Sequence, residues 1–576
     1  MRFSLRSCLA SLLLAAGCSA HALAPRSPGD LCGFTEGRTV LLGNLVFMMA
    51  GKTTIQDGHN EAYVKQLYWV DLNTTFNVEG AIPPNVLHST DIPSSAPYES
   101  GGAFFAAGNT VFIYAGLMGN SRYDWMWSYN AKDGTWSRAQ VDGGKLNVDH
   151  RFAGLSAVAP ESNLSFFTGG WDKPITGTVV FNATDAADTK WTNVTRVEGD
   201  DAVGSPRIAN GGMDYLRLGK QGVLVAFGGY DISKNGTNQT ETDHDLRPMD
   251  KINVFDIDSS TWYEIEATGE IPEARSAFCT AVSAAPDDSS FQVHMYGGRS
   301  RFRENATSYD DLYILTVPSF RWIRAPTTGL IPWTEDGVGR DSHKCVSWKD
   351  GEMVVFGGTP RKDDKVQKGC SRNYPPIRVL DTSKLQWQKQ FERTTKYTVP
   401  RIVSDIVGGD ETGKATLKEP EGGWANSKLQ SIFSQTVARR PDITEVPIPP
   451  EPTDPPKSTI PGEEPNSSNT GAIAGGVVGG VLGVAIIAGI IFFLRRRNKK
   501  KNDNSFAAAT PAAPPAPPSM YPDQQQIPMD SKDDAYMQLP GELHGQTAVP
   551  PRYELDSPIQ SRNRTVFELD SSARER

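Results

Sequence analysis

Apolar residues in this chain gather in short runs that stop at glycine; they do not recur at the three-to-four spacing of an amphipathic helix. Runs of this length, rich in β-branched and aromatic residues, predict strands buried on both faces. Six occur: Leu45-Val-Phe-Met-Met-Ala-Gly51, Val111-Phe-Ile-Tyr-Ala-Gly116, Leu164-Ser-Phe-Phe-Thr-Gly169-Gly170, Val223-Leu-Val-Ala-Phe-Gly228-Gly229, Val293-His-Met-Tyr-Gly297-Gly298 and Met353-Val-Val-Phe-Gly357-Gly358. Each unit closes on a second strand and an aromatic residue: Trp136, Trp191, Trp262, Trp322 and Trp387, with Phe76 in that place in the first. Asn130, Asp256 and Asp381 stand six residues before their tryptophans, where a short polar side chain can bond its own turn and reverse the chain. No unit can bury both faces alone, so units must stack, and a closed ring leaves only short edges.

The other long apolar stretch is different in kind. Gly471 to Leu494 holds 24 residues without a charge, enough for a helix of about 36 Å across a hydrocarbon core of about 30 Å. Arg495, Arg496, Arg497, Lys499, Lys500 and Lys501 follow, which places residues 495–576 on the cytoplasmic side and the N-terminal part outside. Gly471, Gly475, Gly479 and Gly483 fall on one helix face, where a homodimer could form or where glycine is simply tolerated. At the other end, Arg2 and Arg6, the apolar Leu9 to Ala16 and Ala20-His21-Ala22 predict a secretory signal over residues 1–22. The expected order is a signal, a β ectodomain at 30–436, a proline-rich stalk at 437–470, a membrane helix at 471–494 and a disordered tail.

Composition adjusts this picture. A net charge of −9 excludes a general nucleic-acid binder. Secretion makes Asn73, Asn163, Asn182, Asn193, Asn235, Asn238, Asn305 and Asn466 candidate glycan acceptors on the surface. With Cys8 and Cys18 lost in the signal, Cys32, Cys279, Cys345 and Cys370 remain; four cysteines pair in three ways, and Cys345–Cys370 is expected because both lie in one unit. The polar loop from Tyr230 to Met249 carries Asp243-His244-Asp245, read as glycosylated surface and not as a metal site. In the tail, Pro511 to Pro518 favours a polyproline helix of the kind SH3 domains bind. Pro550-Pro551-Arg552-Tyr553 fits the pattern of WW-domain ligands, and Tyr553-Glu-Leu-Asp-Ser557 is echoed at Phe567 to Ser571. The basic run after the membrane helix suits anionic lipid heads.

From about Cys32 to Phe391 the glycine doublets and later aromatics resemble the Kelch family, and the whole layout is similar to fungal Kelch-repeat single-pass membrane proteins. The resemblance implies an all-β ectodomain: a six-bladed propeller with four strands per blade. Units one and two depart from it, with alanine before Gly51 and Gly116, and Tyr397 to Gly409 reads as an edge strand that closes the ring. Arg151, Arg207, Arg275 and Arg340 begin four inner segments and would converge at the channel mouth. They either bind carboxylate or phosphate there, as arginines at this kind of position do in some Kelch propellers, or serve structure by bonding loop carbonyls. An oxidase that resembles galactose oxidase would need two histidine ligands, a Tyr-Cys pair and a further domain; the stretch after Phe391 is too short and has no histidine. The expected function is recognition of a protein or carbohydrate outside the cell, with cytoplasmic adaptors on the tail, no cofactor and no catalysis. A membrane-anchored enzyme and a passive wall component are the alternatives.

Overall fold

The structure, a computed structural model, describes residues 31 to 450 with interruptions, the longer at 56–61, 97–100, 115–125, 144–152, 172–174, 185–187, 198–201, 233–245, 302–305, 327–337, 367–373 and 441–444. The expected signal, the expected membrane helix at 471–494 and the expected tail lie outside the described residues; among those described, no helix is long and apolar enough to cross a membrane.

Six sheets form the blades, each built on four antiparallel strands in chain order from the inside outwards; the third and fifth add a short outer parallel strand, Val141–Asp142 and Thr268–Gly269. Their inner strands are Arg38–Leu42, Ala103–Ala107, Leu155–Ala159, Gly212–Leu216, Cys279–Ala284 and Gly339–Trp348. The glycine-ended runs form the second strands: Leu45–Met49, Val223–Phe227 and Phe291–Tyr296 are buried at every residue. That explains their unbroken apolar character, because each sheet is covered by a blade on both sides.

An aromatic pair bridges every seam between blades. The pairs are Phe47–Tyr129, Phe105–Phe181, Phe166–Phe255, Phe227–Trp322, Tyr296–Trp387 and, at the seam between blades six and one, Phe76–Phe391, with ring centroids 4.8 to 6.0 Å apart. Each contributes about 0.5–1.5 kcal/mol beyond its buried area. Trp136, Trp262, Trp322 and Trp387 are buried on the fourth strands, while Trp191 is half-buried. The turns before them form as expected: Asn130, Asp256 and Asp381 accept backbone N–H groups two or three residues on, and Asp71 and Asn182 do the same.

Ring closure differs from the expectation. Phe76 is not on a fourth strand; Leu87–Asp91 takes that place, and Phe76–Asn77 pairs with Gln390–Phe391 as the chain leaves blade six. Leu31 and Phe34, from Leu31–Thr35, fill the same seam. The segment expected as a closing strand, Tyr397 to Gly409, instead contains the helix α1, Arg401–Val407. Val403 and Val407, four apart, turn one face into the seam between blades five and six. A second helix, α2 (Ser427–Phe433), capped by Asn426, packs Leu429 and Phe433 over the seam between blades four and five.

Candidate functional site

Inner strands run in one direction, so the six share an entry rim and an exit rim. The inner strands enclose a cavity of about 1230 Å³, whose lining includes Thr39, Phe104, Ser156, Asp214, Thr280 and Lys344, one from each blade. Burial pushes the Asp214 carboxyl up to about 6, against a hydrogen bond with Thr280. Lys344 stands in the void and is held below its ordinary range by the surrounding walls.

At the entry rim the six blades present the same backbone feature. Glu36, Gly101, Ala153, Asn210, Ala277 and Ser342 all adopt left-handed conformations, with φ between 55° and 78°. They are linked in sequence: Gly101 N–H donates to the Glu36 carbonyl at 3.0 Å, Ala153 to Gly101 at 2.6 Å, Asn210 to Ala153 at 2.8 Å, Ala277 to Asn210 at 2.8 Å and Ser342 to Ala277 at 2.8 Å. Left-handed geometry costs a non-glycine residue roughly 1–2 kcal/mol; the hydrogen bonds offset it. The doublet glycines pack just outside this rim. Gly297 has φ 67°, and a Cβ there would lie 2.5 Å from the Arg340 carbonyl, so only glycine fits.

The arginines expected at this mouth do not form a ring of free guanidiniums. Arg275, 1% exposed, clamps Asp311 in a two-nitrogen ion pair, donates to the Gly297 carbonyl at 3.3 Å and lies 3.7 Å over the Tyr309 ring. Arg340, 2% exposed, donates to the Gly357 carbonyl at 2.6 Å, and burial lowers its guanidinium to about 9. Both lock the inner strand to the doublet of the same blade, the structural role, because the blade entry is too tightly packed to turn them towards the axis. Arg207 is half-buried and Arg151 lies outside the described residues.

The disulfide is also not the expected one. Cys345 bonds Cys279, with Cα atoms 5.5 Å apart, across the inner strands of blades five and six. Neighbouring inner strands converge at the channel, so cysteines 66 residues apart in sequence become neighbours. Cys370 lies outside the described residues, as do Asn235, Asn238, Asn305, Asn466, Asp243-His244-Asp245, Gly116, Pro550, Pro551 and Tyr553. Of the other acceptor asparagines, Asn182 and Asn193 are exposed on blade three, and Asn73 and Asn163 are half-exposed.

The two rims differ. On the entry side lie the links between blades and the long second-to-third-strand loops. The exit side has short hairpins and is met by residues 435–440 and 445–450, a strap that from residue 437 on was expected to belong to the proline-rich stalk. Gly219 N–H donates to the Gln435 carbonyl at 2.9 Å. Arg439 pairs with Asp288 at 2.7 Å and Asp350 at 2.9 Å and donates to the Ala284 and Ala285 carbonyls. Val446 N–H reaches Asn44 Oδ1 at 2.7 Å, with its side chain in the seam between blades one and two. Arg439 was legible only as a charge in a proline-rich context; nothing local marks its acidic partners 89 and 151 residues away.

A closed six-bladed propeller with glycine-ended second strands and tryptophan-bearing outer strands defines the class, and the comparisons agree. The KLHDC2/KLHL20/DRC7 Kelch-repeats domain matches residues 36–285 and 217–404. This chain belongs to the Kelch-repeat family. A Kelch repeat-containing protein of Arthroderma benhamiae is 26% identical over 532 residues, covering 80% of this chain and 74% of that protein. Acyl-CoA-binding domain-containing protein 5 of Arabidopsis thaliana is 26% identical over 51% of this chain and 39% of its own length. Kelch domain-containing protein 1 of Homo sapiens is 24% identical over 48% of this chain and 67% of its own length.

Proposed function

We propose that this protein is a non-catalytic recognition module whose entry face binds a protein or carbohydrate partner. The observation that carries this is the asymmetry of the two faces. The exit rim is occupied by the chain's own α1, α2 and strap, which reaches the lining of the cavity at Arg439, whereas the entry rim carries the links between blades and the ends of the long loops. We read residues 1–22 and 471–494 as the signal and membrane helix of a single-pass type I surface protein, glycosylated on the ectodomain, with a tail that recruits WW- or SH3-type adaptors.

Immobilised full-length protein, screened against surface-protein extracts and wall polysaccharides, should retain a saturable partner. Arg207→Glu and Glu273→Lys, both on the entry side, are expected to weaken it by about tenfold or more; Lys220→Glu on an exit hairpin is expected to leave it unchanged. Equal loss from Lys220→Glu, or no effect of the entry-side changes, would move the interface elsewhere. Glycan removal should lower the mass of the wild type more than that of Asn182→Gln or Asn193→Gln.

A further inference from the structure

Cys279 begins the inner strand of blade five and Cys345 lies in that of blade six, and both line the channel. His343, two residues before Cys345, brings an imidazole to the same place: the three potential ligand atoms lie within 4.8 Å of one another. His343 is 1% exposed, and its Nε2 is 3.0 Å from the Tyr296 carbonyl. A carbonyl can only accept, so Nε2 carries the proton and Nδ1 presents a bare lone pair, which has no partner among the described residues. An imidazole fixed through its far N–H to a backbone carbonyl is the arrangement that orients a metal-ligating histidine.

We propose that, once the disulfide is reduced, Cys279, Cys345 and His343 form a binding site for a zinc-class divalent cation, with a fourth position open to the channel. Reduction by a dithiol breaks the S–S bond and adds two electrons and two protons; the reductant leaves as its own disulfide. Metal binding then expels the two thiol protons, because thiolate is the ligand. Two thiolates cancel the charge of a divalent ion, so the occupied site adds no net charge beside Arg340. Three nitrogen and sulfur ligands with one free position match the tetrahedral preference of zinc. Disulfide and metal are mutually exclusive occupants of one sulfur pair.

The test uses the full-length chain with Cys8, Cys18, Cys32 and Cys370 replaced by serine. It is reduced with dithiothreitol, desalted without oxygen and titrated with cobalt(II). The expected result is one equivalent bound, with a near-ultraviolet thiolate-to-cobalt absorption that zinc(II) displaces and the oxidised protein lacks. His343→Gln should still form the disulfide but bind cobalt more than about a hundredfold more weakly, beyond the loss that outer-shell changes cause. Absence of the band in the reduced protein, or an unchanged affinity in His343→Gln, overturns the proposal. Loss of the β circular-dichroism signal on reduction does so too, since the site exists only while the two inner strands stay side by side.

Discussion

At the residue scale, the same requirement recurs: groups that enter the seams must be small, apolar or fully bonded. Gly297→Ala should destabilise the fold by about 2 kcal/mol or more, since it combines a left-handed backbone with a contact on the Arg340 carbonyl; denaturant unfolding measures this. Titratable groups in the seams give opposite pH signatures. Glu352, 1% exposed and bonded by Thr395 and the Glu392 N–H, is raised to about 7 by burial. A raised carboxyl lets the folded state hold its proton longer, so its penalty is absent below about pH 4.5 and grows as pH rises through 7. Glu352→Gln should therefore stabilise the protein by about 1 kcal/mol at pH 8, allowing for solvent screening, and by nothing measurable at pH 4. His294 is lowered to about 3 by burial, so the unfolded chain takes up its proton first as pH falls below 6.5. His294→Gln should flatten the loss of stability between pH 6.5 and 4 by about 1.4 kcal/mol per pH unit.

At the element scale, strands were legible and their partners were not. The second strands announce themselves because both faces are covered, and the Asx turns because a short polar residue bonds two residues on; those signals are local. Helix α1 was misread because Ile402, Val403, Ile406 and Val407 are β-branched and strand-like, yet Val403 and Val407 are buried with Ile402 beside them while Ile406 is exposed, and a buried spacing of four suits a helix. The arginine positions were legible, but their roles depended on a Gly carbonyl 17 or 22 residues away and on Asp311. The disulfide and the strap depend on neighbours brought together only by the ring. Opening the Cys279–Cys345 bond, which closes a 66-residue separation, should lower stability by up to about 4 kcal/mol, read as the midpoint shift of Cys279→Ser. Arg439→Ala should speed proteolysis between residues 436 and 450 while leaving the blades intact, seen as an early C-terminal trim by mass spectrometry.

At the scale of the whole molecule, the ring is a set of six nearly equivalent seams with one closed differently. Five seams are crossed by continuous chain, whereas that between blades six and one depends on Gln390–Phe391 against Phe76–Asn77 and on the strand Leu31–Thr35. Phe391→Ala should remove the Phe76 stacking partner and cost about 3–5 kcal/mol, a larger loss in cooperativity than the same change at an outer-strand surface position. The strap bears on this closure as well. It contacts blade four at Gly219, blades five and six through Asp288 and Asp350, blade one at Asn44 and blade two where Pro450 meets Gly134. Tension applied to the chain beyond Pro450 would thus reach the propeller as a peel around its rim. It would be spent first at Pro450, then at Val446, Arg439 and Gln435, before any blade carried the load.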